Sequence, residues 1–269
     1  MSPKRAPPPR RRARRLYALL LAAGGVIAVP VLLFALVPRA LIIAAGRAFP
    51  GCRYEFPATV GAAPGRAPIA LTIDDAPDPE TTPAILDVLR SHASRATFFV
   101  ITSQLADVPA GADPILVRMR AEGHEIGNHM TRDRVSIRLD SATYEKDLAQ
   151  ADSALRPYGP LRWARPGSGW YSARTVRAMR RAGYECALGS VYPIDAGLGW
   201  PWLSERYILA HARPGAIIIL HDRGVRGERT AAVLARVLPA LRARGYSIVT
   251  LSEVAAATGG RIAIRTGPM

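Results

Sequence analysis

The sequence predicts an α/β fold: a distorted (β/α) barrel of about seven parallel strands, preceded by an N-terminal transmembrane helix. Short apolar runs alternate along most of the chain with longer segments that have apolar residues at three- and four-residue steps. An uncharged apolar stretch near the N-terminus matches the length of a bilayer span. The strand runs are IALTI, ATFFVI, HEIGN, LRWAR, CALGSV, AIIIL and SIVTL. Their alternation with helices favours a mostly parallel sheet over an antiparallel sandwich.

The N-terminal region begins with a basic tail and a candidate membrane anchor. Residues 1–15 hold seven Lys and Arg side chains beside three consecutive prolines, which is typical of an unfolded tail. Residues 16–37 carry no charge and approach the roughly 20 residues that span a bilayer. Because basic residues precede this segment, we expect a single-pass anchor in the cell membrane, with the catalytic domain outside the cytoplasm. A cleaved signal peptide, with Ala44-Ala45-Gly46 as its cleavage region, is the alternative.

The folded domain is predicted to span residues 68–258, between a linker over 38–67 and a flexible tail over 259–269. Gly, Pro and Ala are frequent in the linker, and no apolar period is sustained there. Within the domain, apolar spacing and capping residues predict four helices, over 78–89, 141–155, 173–181 and 230–242.

The charge and the cysteines limit the classes of function. The net charge of +15 suggests nucleic acid, membrane phospholipid or an acidic polymer as partner, but the densest run of basic residues lies in the tail rather than in the folded domain. We therefore expect a membrane partner through residues 16–37 and no nucleic acid. Cys52 and Cys186 are the only cysteines, which excludes a Cys-rich zinc site and leaves a disulfide or two free thiols open.

Polar residues follow the predicted strands at the end where a parallel sheet has its active site. Asp74 and Asp75 follow IALTI, Arg165 ends LRWAR, and His221 follows AIIIL. Two adjacent aspartates point in different directions, so one can bind a metal while the other accepts a proton from water. The alternative is that the pair only ends a strand and caps a helix.

The segment GNHMTRD adds a second metal-binding element. His129 and Asp133 stand four residues apart, which lets both converge on one metal if the segment forms a helical turn. Together with the aspartate pair, this spacing predicts metal-assisted hydrolysis.

These motifs resemble those of the polysaccharide deacetylases with a NodB-like domain, and the resemblance covers residues 68–254. TIDDAP is similar to the family's Thr-Phe-Asp-Asp-Gly-Pro motif, and ATFFV to the strand that follows it. GHEIGNH resembles the lead-in to its His-x-x-x-His metal motif, ARPGSG its Arg-Pro-Pro-Tyr-Gly segment, and IILHD its terminal Leu-x-His motif. Each motif is weak alone, but five in the family's order are specific.

The resemblance implies the roles of the strand-end residues. Asp75 and His129 would bind a divalent metal. Asp74 would be the general base for the attacking water, and His221 the acid that protonates the departing amine. Arg165 would pair with Asp74 and keep it ionised.

Four further residues complete the predicted site. Asp195, in SVYPID, is the candidate that orients the acid histidine. A backbone amide near Ser168, where the family has tyrosine, would help to hold the oxyanion. Trp170 and Tyr171 are candidates for stacking on sugar rings, with packing in the core as the alternative.

The chain departs from the family pattern at Asp133, where the family usually has its second histidine. We interpret Asp133 as a variant ligand, with loss of the metal site as the alternative. An Asp-His-Asp ligand set is harder than Asp-His-His, which weakens discrimination between zinc, the expected metal, and manganese or cobalt. Ala76 replaces the motif's glycine and Gly167 its second proline, and neither change removes a functional group.

The sequence leaves the polymer and the oligomeric state open, but it predicts the reaction. We expect a metal-dependent hydrolase that removes N-acetyl groups from an amino-sugar polymer, which could be chitin-like, peptidoglycan or an exopolysaccharide. One alternative is a metal-poor, glycan-binding pseudoenzyme at the cell surface, which would have no use for Asp74, Arg165 and His221 together. Another is a phosphoesterase, which would need more cationic groups or a second metal.

Overall fold

The computed structural model of the protein describes residues 44, 46, 48, 50–58 and 67–259, except residues 107, 108, 112, 194 and 198. The predicted basic tail and anchor, and residues 260–269 of the predicted flexible tail, lie outside the described residues. Within the described ranges, no helix is both long and apolar enough for a membrane span. Apart from residue 44, the described residues belong to one unit, residues 45–269.

A single sheet of eight strands, all paired in parallel, forms the centre of the described residues. The strands are β1 Cys52–Arg53, β2 Ala67–Ala76, β3 Thr97–Val100, β4 Glu125–Asn128, β5 Trp163–Ala164, β6 Glu185–Ala187, β7 Ile217–His221 and β8 Tyr246–Val249. Their order is β1-β6-β5-β4-β3-β2-β7, and β8 pairs with the first residues of β2. Strand β2 is buried over nearly its whole length, as expected of a continuous apolar run in a parallel sheet. The predicted parallel α/β class is confirmed.

Seven helices connect or follow the strands in the described part of the chain. They are α1 Thr81–Ser91, α2 Pro114–Ala121, α3 Ser141–Leu155, α4 Ala173–Arg181, α5 Pro201–His211, α6 Val225–Ala243 and α7 Leu251–Ala257. The bounds of α3 and α4 are those predicted. Helix α6 begins at Val225 rather than Thr230, and α1 begins at Thr81 rather than at Asp78. Helix α6 packs against both α1 and α5.

Isolated bridges connect the region of β7, at one edge of the sheet, to the segments that follow β1 and β6 near the other edge. Val191, which follows β6, pairs in parallel with Ile218 of β7, and Glu55, which follows β1, pairs antiparallel with Ala216. The predicted barrel is therefore closed only by single bridges. Its distortion consists in the lack of a continuous ladder of hydrogen bonds at this position.

Part of the predicted linker belongs to the folded domain. Residues Cys52–Arg53 form β1, which pairs with β6, and a disulfide joins Cys52 to Cys186 with their Cα atoms 4.5 Å apart. Phe56 is only 4% exposed and contacts Trp163 edge-on, with ring centroids 6.1 Å apart. The linker prediction failed over this segment because a two-residue strand and one buried aromatic leave no periodic pattern in the sequence. The choice between a disulfide and two thiols is settled in favour of the disulfide.

Candidate active site

The carboxyl ends of four strands bring the predicted polar residues to one place. Asp74 is the register partner of His221 in the parallel pairing of β2 with β7. The backbone N–H of Arg165, just beyond β5, donates to the carbonyl of Asn128 at the end of β4 (3.0 Å), and His129 is the next residue. The parallel strands therefore align these side chains along the carboxyl-terminal end of the sheet.

Arg165 is a buried guanidinium that is hydrogen-bonded to both side chains and backbone. Its side chain is 1% exposed, and Nη1 donates to Asp74 Oδ1 at 2.5 Å and to Thr72 Oγ1 at 2.9 Å. Its Nε donates to the carbonyl of Ala187 at 2.8 Å. The guanidinium also lies over the ring of Phe99, 4.1 Å from its centroid. The charge of Arg165 is thus held against Asp74 by contacts on several sides.

Asp74 is kept ionised despite its burial. Burial alone would raise the pKa of a carboxyl group, because it removes water from the charged form. The neighbouring charge of Arg165, with smaller contributions from His129 and His221, outweighs burial and lowers the pKa of Asp74 below its usual range. An ionised carboxylate in this position can accept a proton.

His129 and Asp75 form an arrangement that suits a cation. Nδ1 of His129 lies 2.8 Å from the carbonyl oxygen of Arg165, and because a carbonyl only accepts, Nδ1 bears the hydrogen. Nε2 then faces Asp75 Oδ1 at 3.7 Å and Asp74 Oδ2 at 4.0 Å. An unprotonated ring nitrogen and a carboxylate oxygen are both metal-ligating groups, so Asp75 and His129 fit two ligands of a divalent metal.

Asp133 is not brought to this pair. The convergence of His129 and Asp133 required a helical turn, but Met130 has a φ of 71° and the segment is not helical. Asp133 is exposed, and within the described ranges no group of three His, Cys, Asp or Glu side chains is placed to hold a metal. The structure therefore places two of the three predicted ligands together and leaves the third on the surface.

His221 is paired with Asp195. Nδ1 of His221 lies 3.0 Å from Asp195 Oδ1, and the backbone N–H of His221 donates to Asp195 Oδ2 at 2.8 Å. Burial disfavours the imidazolium, but the hydrogen bond and charge of Asp195, followed by the charges of Asp74 and Asp75, raise the pKa of His221 to about 9. The ring is therefore protonated at neutral pH and can donate a proton.

The predicted substrate residues lie on an exposed segment after β5. Ser168 is exposed, with a φ of 60° in a short 3₁₀ turn over Gly167–Gly169. Trp170 is 66% exposed, so core packing is excluded for this ring. Tyr171 is partly buried, and its hydroxyl lies 2.9 Å from that of Tyr54. Trp170 thus offers an open aromatic face, whereas Tyr171 is attached to the body of the domain.

Among the residues that contact the site and that sequence reasoning missed are Arg226 and Gln104. Nη1 of Arg226 lies 3.1 Å from Asp75 Oδ2. With its amide nitrogen facing the backbone, Gln104 donates to the carbonyls of Asp75 (2.8 Å) and Pro77 (2.9 Å). Neither residue stands in a motif: Arg226 is one of many arginines in the chain, and Gln104 lies in a short turn after β3. Only the fold identifies them.

Comparisons with known proteins agree with the fold and with the predicted family. A family model described as polysaccharide deacetylase matches residues 61–187. A peptidoglycan-N-acetylglucosamine deacetylase of Bacillus cereus is 33% identical over 191 residues, covering 69% of this chain and 87% of the relative. A chitooligosaccharide deacetylase of Sinorhizobium fredii is 34% identical over 203 residues, covering 70% and 92%. The solved structure of the peptidoglycan deacetylase PdaC from Bacillus subtilis matches with a TM-score of 0.65 and 27% identity, over 74% of this chain and 94% of that one.

An ionised carboxylate and an imidazole of raised pKa on neighbouring strand ends are suited to general acid–base catalysis, so the fold and the site are those of an enzyme. Within that class, the chain belongs to the polysaccharide deacetylase family. The predicted family and the predicted carbohydrate deacetylase are thereby confirmed.

Proposed function

We propose that the protein removes N-acetyl groups from an N-acetylglucosamine-containing polymer outside the cytoplasm. The observation that supports this most directly is the pairing of Asp74 with His221 in the register of β2 and β7. One carboxyl group is held ionised and one imidazole is held protonated in the same site. Opposite protonation of two neighbouring groups is the condition for a base and an acid to act in one reaction.

Asp74 and His221 each carry out one proton transfer in amide hydrolysis. Asp74 accepts a proton from the water that attacks the acetamide carbonyl, and Arg165 holds the carboxylate in place for this transfer. His221 donates a proton to the departing nitrogen, so that the sugar leaves as an amine rather than as an amide anion. Asp195 orients His221 and stabilises its charge. A backbone amide near Ser168 is the proposed donor to the oxyanion.

Asp75 and His129 are the proposed ligands of a divalent metal, for which zinc is our first choice and manganese or cobalt are alternatives. Bound there, the cation would supply Lewis acidity that polarises the carbonyl and lowers the pKa of water. We propose Asp133 as the third ligand. Since Asp133 is exposed, its participation requires the segment after Met130 to change conformation when the cation binds.

The proposed location outside the cytoplasm rests on two features. The disulfide between Cys52 and Cys186 is of a kind that persists in oxidising compartments and is rare in the cytosol. The uncharged segment 16–37 behind a basic tail is the proposed single-pass anchor.

The substrate is proposed from chemistry that two relatives share. One is named for peptidoglycan N-acetylglucosamine and the other for chitooligosaccharides, and both polymers present an acetamide on a glucosamine ring. The exposed ring of Trp170 is the proposed stacking surface for a neighbouring sugar.

Acetate release from N-acetylglucosamine oligomers tests the proposal. The metal-stripped protein is titrated with zinc, manganese and cobalt, alongside Asp74→Asn and Asp133→Ala. Asp87→Ala, the same change at an exposed aspartate of α1, is the matched control. We expect metal-dependent release that both site variants abolish and the control retains. Metal binding without acetate release would point to a different substrate, and an absence of metal binding would favour the glycan-binding pseudoenzyme.

A further inference from the structure

Arg226 divides the two oxygens of Asp75 between two partners. Oδ2 of Asp75 lies 3.1 Å from Nη1 of Arg226, whereas Oδ1 lies 3.7 Å from Nε2 of His129. The side chain of Asp75 is 7% exposed and that of Arg226 is 33% exposed. The guanidinium therefore reaches inward from a partly open position to a buried carboxylate.

Contacts with neighbouring elements hold the first turns of α6 close to the site, and they set the position of the backbone of Arg226. A Cβ added to Gly227 would lie 2.3 Å from Thr81 Oγ1, so only glycine allows the first turn of α6 to approach α1 this closely. The hydroxyl of Thr230 donates to the carbonyl of His221 at 2.6 Å. The helix that bears Arg226 is thus attached both to α1 and to the strand end of the acid histidine.

An ordinary surface ion pair does not explain the contact between Arg226 and Asp75. A cation in the first turn of a helix faces the positive end of the helix dipole, which disfavours it. Surface pairs of this protein, such as Arg90 with Asp87, have both partners well exposed, and such pairs contribute little to stability. The partner of Arg226 is instead a buried carboxylate next to another buried carboxylate, Asp74, where like charges repel unless each is compensated.

We propose that Arg226 is a positioning residue for Asp75: it holds Oδ2 so that Oδ1 is presented towards His129 as the oxygen available to a cation. Each of the two adjacent aspartates then has its own guanidinium, Arg165 for Asp74 and Arg226 for Asp75. This inference rests on the proposed metal dependence and adds a residue outside the ligand set. Groups that orient a metal-binding carboxylate commonly affect metal affinity by about 10–100-fold.

Zinc affinity of the full-length protein, measured by competition with a chromogenic chelator, tests the role of Arg226. Arg226→Met should weaken binding by about tenfold or more. Arg226→Gln retains an N–H donor without the charge and should recover part of that loss. Arg236→Met is the matched control: Arg236 is exposed on the same helix and pairs with the partly buried Glu205, so the variant should bind zinc like the wild type.

The outcomes separate this inference from the proposed function. Unchanged zinc affinity in Arg226→Met, with normal zinc binding and acetate release by the wild type, would overturn the role of Arg226 alone. Tighter binding in Arg226→Met would also overturn it, because the guanidinium would then compete with the cation. A wild-type protein that neither binds zinc nor releases acetate would overturn the proposed function and this inference together.

Discussion

The pairing of His221 with Asp195 gives a measurable prediction for Asp195→Asn. The variant keeps an oxygen that can accept from the backbone N–H of His221 but removes the negative charge beside the ring. The hydrogen bond and charge of Asp195 are the leading causes that raise the pKa of His221 from 6.5 to about 9. That rise corresponds to a preference of about 3 kcal/mol for the protonated ring. We expect the variant's pKa to fall by about 1–3 pH units, towards its ordinary value.

The raised pKa of His221 also makes the free energy of unfolding depend on pH. Because the pKa of His221 is higher in the folded protein than the 6.5 of an unperturbed imidazole, the pair stabilises the folded state fully below pH 6.5. The contribution is lost as the pH rises through about 9. The difference in unfolding free energy between wild type and Asp195→Asn should therefore be largest near pH 6 and shrink by up to about 3 kcal/mol towards pH 10.

Imidazole NMR of the metal-stripped protein measures this pKa directly. The resonances of His221 are assigned by their loss in His221→Asn, and the titration is compared between wild type and Asp195→Asn. Urea unfolding at several pH values gives the stability difference. Titration of wild-type His221 near pH 6.5, or the same midpoint in both proteins, would refute the reasoning.

Three further predictions concern the framework of the site. Arg165→Met leaves a buried aspartate without its partner and should cost about 3–5 kcal/mol in urea unfolding; an unchanged midpoint would show that the pair is not buried as described. Replacing Cys52 and Cys186 by Ser opens a loop of sequence separation 134 and should cost about 5 kcal/mol in the chain-entropy description. Equal stability of the double variant and the reduced wild type is the control. Gly167→Ala places a Cβ 2.1 Å from the carbonyl oxygen of Arg134 and should cost about 1–3 kcal/mol; a neutral substitution would mean that this loop moves freely.

The seven strands that the runs predict are all present, and β2, β3 and β7 are the buried, largely apolar runs expected of a parallel sheet. The elements that could not be predicted depend on contacts between residues far apart in the chain. Strand β1 is two residues long and is joined to β6 by the disulfide. The first turn of α6 includes Gly227, which is a poor helix former and is present because α1 lies so close. The predicted helix began at Thr230, so Arg226 lay outside it.

The site residues likewise fall into two groups, those at strand ends, which could be predicted, and Asp133 in a loop, whose predicted position was wrong. Asp74, Arg165 and His221 were predictable because each occupies or follows a strand end, and parallel register aligns strand ends whatever the loops do. Asp133 was inferred from local spacing, which holds only if the backbone is helical, and the positive φ of Met130 removes that condition.

Asp133, the proposed third ligand, therefore belongs to a loop rather than to the sheet. Nothing in the strand register constrains Asp133, whereas the carbonyl of Arg134, the next residue, packs against the backbone of Gly167. The family's proline at position 167 could not fit beneath that carbonyl without moving it. The two departures from the family pattern lie close together: glycine at 167 permits the close approach of the loop that bears Asp133. Zinc titration of Gly167→Ala, Asp133→Ala and the double variant would test whether they are coupled: if the loop acts on the metal through Asp133, Gly167→Ala should change zinc affinity in the wild type but not in Asp133→Ala.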